Sequence, residues 1–222
     1  MKKALQLLCT VCLLLLQWGA AAQNPEHGGI PDEVYYLMPR FGNGMVYFRG
    51  QMPAAGELNI CALDNTLRFM GPDGKELEAN NIENVLRVQI DTVFFLRYKD
   101  AFYRQYPVSG DIGIALRRSV RIMRDAKPAA YGGTSMTSSV TEFSSIYADG
   151  MTHQLEGRKD YPFDVQERVS VYKGDTVYPL TKKNLKKLYP EKKDEIEAWF
   201  KEGNSLPDTV EELRPLLVRW AR

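Results

Sequence analysis

The chain has 222 residues, 44% hydrophobic and 26% charged, with 29 Lys+Arg balancing 28 Asp+Glu, the profile of a folded globular protein and not of a disordered or fibrous one. A net charge of +1 withholds the strong basic field of a nonspecific nucleic-acid binder. Two histidines and three cysteines leave little material for a metal centre or a disulfide framework.

Lys2 and Lys3 precede an uncharged stretch from Ala4 to Leu16, followed by Gly19, Ala20, Ala21 and Ala22. A basic head, a short apolar middle and small residues at the end form the pattern of a secretory signal peptide, residues 1–22, cleaved after Ala22. The apolar run falls short of the about 20 residues that span a bilayer, so no transmembrane segment is expected after cleavage. What remains is 200 residues at net −1, enough for one compact domain. Cys9 and Cys12 leave with the leader, and Cys61 alone closes no internal disulfide. An exported chain with one thiol fits a periplasmic or secreted location, with Cys61 as a small core residue.

Residues 23–33 are expected to be a flexible lead-in to a β-rich domain over 34–180. Val34–Met38 and Met45–Phe48 flank Gly42-Asn43-Gly44, a composition suited to a tight hairpin turn. Leu58–Leu63 and Thr66–Met70 flank Asp64-Asn65, and Gly71-Pro72-Asp73-Gly74 follows with proline and glycine at turn positions. From Leu86 to Tyr98 the even positions Leu86, Val88, Ile90, Phe94, Leu96 and Tyr98 are apolar and predict one buried face, with Asp91-Thr92 as a turn or a bulge. Ile112–Met123 puts Ile112, Ile114, Leu116, Val120 and Ile122 on one face with Arg118 among them. Arg118 is either a buried anion-binding side chain or, the favoured reading, one turned to solvent by a bulge near Arg117-Arg118. Lys127–Ser145, with Pro128, Gly132-Gly133 and many Ser and Thr, is expected to be a long Gly/Ser/Thr surface loop. Strands resume at Glu167–Tyr172 and Thr176–Tyr178 across Lys173-Gly174-Asp175. Turn signals recurring about every 8 to 12 residues predict a mainly β fold, an antiparallel sandwich or partly open barrel of about eight to eleven strands.

Residues 181–222 switch to helical period and are expected to pack on the β domain as a helical tail. Thr181 caps a segment carrying Leu185 and Leu188, and Pro190 opens one whose Ile196, Trp199 and Phe200 share a face. Asp208 to Glu211 has the spacing of a capping box ahead of Val210, Leu213, Leu216, Leu217 and Trp220. Pro215 predicts a kink in that last helix. Seven lysines between Lys182 and Lys201, interleaved with acids, make a solvated face.

Chemistry has little to start from. A Ser/His/Asp hydrolase must use His27 or His153; Asp149, His153 and Ser135 are candidates by proximity alone, and Gly133-Thr134-Ser135-Met136-Thr137 lacks the closing glycine of a nucleophile elbow. Gly132-Gly133-Thr134-Ser135 lacks the lysine of a phosphate loop. No calcium-loop or zinc-ligand spacing occurs, and a glycosidase carboxylate pair can be drawn from too many acids to mean anything. No catalytic, cofactor-binding or metal residue is therefore assigned, and no cofactor is expected.

Several stretches together resemble an uncharacterised family of secreted proteins common in Bacteroidetes. They are Leu58-Asn59, Leu67-Arg68-Phe69 with Gly74-Lys75 and Leu77, Val88, Ile90-Asp91, Val93-Phe94, Tyr131-Gly132, and the tail Leu180-Thr181-Lys182-Lys183-Asn184-Leu185 with Leu188, Tyr189-Pro190 and Ile196. The resemblance implies export and a β-rich body with a helical tail, and it carries no catalytic residue. The expected function is a non-catalytic binding or assembly module of the cell envelope, with envelope proteins or glycans as partners and no nucleic acid. A glycan-acting hydrolase and a small-ligand carrier using the sheet interior are the alternatives.

Overall fold

The computed structural model describes residues 27, 30–80, 82–122 and 163–222. The expected leader 1–22 and the Gly/Ser/Thr stretch 127–145 lie outside the described residues. Ten strands are found among those described: β1 (Gly42–Phe48), β2 (Ala54–Ile60), β3 (Leu67–Met70), β4 (Glu76–Glu78), β5 (Val85–Ile90), β6 (Val93–Tyr98), β7 (Ala101–Ser109), β8 (Ile112–Ile122), β9 (Phe163–Lys173) and β10 (Thr176–Pro179). All belong to one sheet in the order β10-β9-β8-β7-β6-β5-β1-β2-β3-β4. Every pairing is antiparallel. Two meanders, β1–β4 and β5–β10, are joined where β5 pairs beside β1. The mainly β, antiparallel architecture with a C-terminal helical segment is the one expected from the sequence.

The sheet curls without closing. β2 and β8 lie five strand steps apart, about 24 Å in a flat sheet, yet the Val120 amide of β8 donates to the carbonyl of Ala62, just past β2, at 3.2 Å. Curling turns one face inward. Val46, Leu58, Ile60, Leu67, Val88, Ile90, Phe95 and Phe102 fill the inner face over β1–β3 and β5–β7. At its far side Ile30, Cys61, Ala62, Leu63 and Val120 form a smaller cluster. Cys61 is wholly buried there, a core residue as read from the sequence.

Several local expectations are corrected. Gly42-Asn43-Gly44 is not a turn but the start of β1, paired with β2 throughout and with β5 from Gly44 onward. Its glycines serve close approach: a Cβ on Gly44 would sit 2.4 Å from the Gln89 carbonyl oxygen and 2.7 Å from Cδ1 of Leu58. Val34–Met38 is not a strand. Helix α1 (Asp32–Tyr35), with Asp32 and Glu33 in its first turn, occupies its first half, and only Tyr36 bridges to Cys61. Within the segment 23–33, Ile30 is 1% exposed.

Asp91-Thr92 is a two-residue hairpin turn that pairs Ile90 with Val93 and Val88 with Phe95. Residues directly opposite in an antiparallel pair share a face, so this turn swaps parity. The single even-numbered face therefore breaks at the turn: Phe95 joins Val88 and Ile90 inside, while Phe94 is 38% exposed. The bulge near Arg117-Arg118 is absent, since β8 and β9 pair in unbroken register from Ile112↔Lys173 to Ile122↔Phe163. Other turns appear where the composition put them. Asn65 and Gly174 take the left-handed backbone with φ of 57° and 56°, and the Asp64 carboxylate accepts from the Thr66 amide at 3.0 Å.

The tail forms α2 (Lys182–Leu188), α3 (Lys193–Lys201) and α4 (Val210–Ala221). Thr181 caps α2 by accepting from the Asn184 amide at 3.2 Å, and Pro190 opens a 3₁₀ turn ahead of α3. The cap of α4 is Thr209, one residue later than expected, with its hydroxyl accepting from the Glu212 amide at 3.3 Å. Either register has capping-box spacing; the observed one directs Val210, Leu213, Leu217 and Trp220 onto the sheet. The helix continues through Pro215, which lies on its exposed side. The three helices cover Ile114, Val169 and Val171 of β8 and β9 with Leu185, Leu188 and Ile196.

Candidate functional site

A cleft of about 1060 Å³ opens between β1–β4 and the segment leading into them. Asn43, Glu57, Met70 and Glu76 line it, and by strand register all four point away from the apolar inner face. The other wall is the stretch from His27 through α1 to Phe41, contributing His27, Asp32, Tyr36, Arg40 and Phe41. Lys75 from the β3–β4 turn and Asp91 from the β5–β6 turn complete it.

One hydrogen-bonded chain crosses the cleft wall. Nδ1 of His27 lies 3.2 Å from the Asp32 carboxylate, Nε2 of His27 lies 3.2 Å from the Tyr36 hydroxyl, and that hydroxyl donates to Glu76 in a short contact. The imidazole is stacked on the Tyr35 ring at 3.8 Å with 5° between planes. Tyr36 packs edge-on to Phe41 with ring centroids 5.4 Å apart. Burial, reinforced by the bond to Glu76, pushes the Tyr36 phenol far above its ordinary range, so it keeps its proton.

Arg68 of β3 anchors the carboxylates behind this chain, lying 2.5 Å from Asp64, 3.2 Å from Glu78 and 3.7 Å from Glu76. Burial raises the Glu78 carboxyl against the opposing pull of Arg68. A second row lies along the floor. Glu57 and Asn43 are opposite one another across β1 and β2, and the Asp91 amide donates to the Asn43 carbonyl at 2.8 Å. The Asp91 carboxylate stands at the Gly42 end of β1, where a Cβ on Gly42 would meet its Oδ2 at 2.6 Å. Such a mixture of acceptors, cations and ring faces suits a ligand that both donates and accepts hydrogen bonds and has an apolar side.

Of the residues lining this cleft, the sequence put forward only His27 as a candidate for chemistry, as one of the two histidines open to a triad; Asn43, Lys75 and Asp91 were named for turns or resemblance alone. Ser135, Asp149 and His153 lie outside the described residues. Arg118 stays on the inner face of β8, half-buried, with Nη1 donating to the Glu33 carbonyl at 3.2 Å and Nε 3.7 Å from Glu167 across the strand. It is turned neither to solvent by a bulge nor into this cleft. The local spacing of His27, Asp32 and Tyr36 was open to notice; Glu76 joins only through the fold, forty positions on from Tyr36.

Among the described residues no group of three or more His, Cys, Asp or Glu side chains is placed to hold a metal ion. No helix among them is long and apolar enough to cross a membrane. Compared with known proteins, the chain matches no family model, no curated protein and no solved structure.

Proposed function

We propose that the protein is an exported, non-catalytic binding module of the cell envelope, and that its cleft takes a segment of glycan. The observation that carries this is the cleft's lining. Its volume of about 1060 Å³ lies just above the about 300–1,000 Å³ of small-ligand sites, room for more than one sugar ring. Glu57, Asn43 and Asp91 offer acceptors to sugar hydroxyls, Arg40 and Lys75 offer donors, and Phe41 offers a ring face to the apolar side of a pyranose. Export is supported by the signal-peptide pattern of residues 1–22 and by the family resemblance. The carrier alternative has less support, because side chains fill the inner face of the sheet.

Calorimetric titration with neutral and amino-sugar hexasaccharides tests the reading. At least one is expected to bind, and Glu57→Gln or Phe41→Ala to weaken it about fivefold, the worth of one net hydrogen bond or comparable contact. Binding unaffected by both substitutions, or no binding across the panel, defeats it. Turnover abolished by a single carboxylate substitution favours the hydrolase instead.

A further inference from the structure

Away from the cleft, a second hollow of about 280 Å³ lies between the ends of α2 and α4 and the turn that joins β7 to β8. It shares no lining residue with the cleft. Pro190 has no amide proton with which to continue α2, and the chain leaves that helix through Tyr189 at φ −121° and ψ 71°. Leu188, Tyr189 and Pro190 line one side of the hollow; Trp220 and Ala221 from the last turn of α4, with Ile112 of β8, complete its apolar wall.

Two donors at this hollow have nothing to bind. Tyr189 is 6% exposed and Trp220 2%, and neither the Tyr189 hydroxyl nor the Trp220 indole N–H has a hydrogen-bond partner among the described residues. An indole N–H can only donate. Both rings are held in place. The Tyr189 amide donates to the Leu185 carbonyl at 2.9 Å, and the Trp220 ring lies 6.4 Å from the Tyr189 ring and edge-on to Trp199 at 5.8 Å. Burial alone pushes the Tyr189 phenol up to about 12, so at neutral pH it keeps its proton and stays a donor. A buried donor left unmet costs the fold the desolvation of that group, and folds seldom leave one. Here two stand unmet on neighbouring rings, and the element that answers both is an acceptor in the hollow.

Charge indicates what carries that acceptor. Lys192 and Arg222 line the hollow against the single carboxylate of Glu191. The ion-pair partner of Lys192 is Glu195 at 3.5 Å, which is shared with Arg219 at 2.7 Å, so the surroundings keep a positive excess. A carboxylate has two oxygens for the two donors, and a short apolar body fits against Leu188, Pro190 and Ile112. The hollow's volume, just below the about 300–1,000 Å³ of small-ligand sites, limits that body to a small one.

We propose that the hollow between the ends of α2 and α4 is a binding site for a small apolar carboxylic acid, whose carboxylate accepts from the Tyr189 hydroxyl and the Trp220 indole N–H. The site is independent of the glycan reading of the cleft.

The test titrates hexanoate and benzoate into the exported protein and follows the Trp220 indole N–H resonance, with hexanol and hexylamine as controls for the head group. At least one carboxylate is expected to move that resonance downfield and to saturate it with a Kd on the order of 1 mM, as ligands of this size allow. Both controls are expected to bind at least about tenfold more weakly, the worth of a hydrogen bond to a charged group. Tyr189→Phe removes the hydroxyl and keeps the ring. It is expected to weaken carboxylate binding about tenfold by the same measure, while the free protein melts no lower than wild type because the lost hydroxyl had no partner. A hydroxyl bonded within the fold would give the opposite result, a lower melting temperature. No saturable shift with either carboxylate means that the hollow takes water only and overturns the proposal. So do equal affinity for hexanol, carboxylate affinity unchanged by Tyr189→Phe, and a melting temperature lowered by that substitution.

Discussion

At Gly44 a methyl group would have to enter a gap bounded by backbone, 2.4 Å from the Gln89 carbonyl oxygen, and backbone held by strand pairing cannot yield. Gly44→Ala is expected to cost about 1–3 kcal/mol or more, as overpacking does, seen as a lower urea midpoint at unchanged slope. Gly56→Ala on β2 is the control, since its nearest neighbour is a Leu58 methyl at 3.4 Å. A loss at Gly56 equal to that at Gly44 would contradict this reading of β1. Cys61 gives a second residue-scale prediction. Burial foremost, with the Asp64 carboxylate nearby, pushes its thiol up to about 12, so at neutral pH almost no thiolate forms. In protein lacking residues 1–22, a thiol reagent is expected to label Cys61 only at the rate of unfolding; rapid native-state labelling would disprove it.

At the scale of elements, helices α2 and α3 are tied by one carboxylate. Glu197 of α3 accepts from Lys182 at 2.6 Å and from Lys186 at 3.0 Å. These two bonds hold its carboxyl down at about 2 against an ordinary value of 4.5. A lowered folded-state value means stabilisation that is present above the ordinary value and lost as pH falls toward 2. Glu197→Gln is therefore expected to lower the melting temperature at pH 7, with the difference from wild type shrinking between pH 4.5 and 2; a difference that persists in acid would refute it. Helix α4 is held by apolar packing. Leu217 is fully buried against the sheet layer, and Leu217→Ala is expected to cost about 2–5 kcal/mol in denaturant titration.

For the molecule as a whole, the helical tail is the cover for one end of the sheet. Ile114, Val169 and Val171 are all buried because α2, α3 and α4 lie over them. Deleting residues 181–222 is expected to uncover a contiguous apolar face, so the shortened protein should bind an apolar dye and lose its cooperative unfolding transition. Retention of a sharp transition would show that the curled sheet stands alone. Among the described residues the outermost strands of the sheet are short, three residues in β4 and four in β10 with Pro179 at its end. Such edges offer little template for strand-to-strand association.

Local chemistry was legible in the sequence. Asp64-Asn65, Gly71-Pro72-Asp73-Gly74 and Lys173-Gly174-Asp175 mark turns because their backbone preferences act over three or four residues. Thr181 and the Leu185–Leu188 spacing mark a helix for the same reason, and the alternation of β8 marks a strand with one buried face. What needed the tertiary structure involves partners distant in sequence. Gly42 and Gly44 have turn composition, and only their neighbours on β2 and β5 show that the missing side chains make room for packing. The parity of β6 depends on whether Asp91-Thr92 turns or bulges, and periodicity reads the same either way. Arg118 stays on the inner face because β9 pairs with β8 without a break, and its contacts come from Glu33 and Glu167. The cleft follows the same rule: His27, Asp32 and Tyr36 are neighbours along the chain, but their chain of hydrogen bonds has no end until β4 brings Glu76 to the Tyr36 hydroxyl.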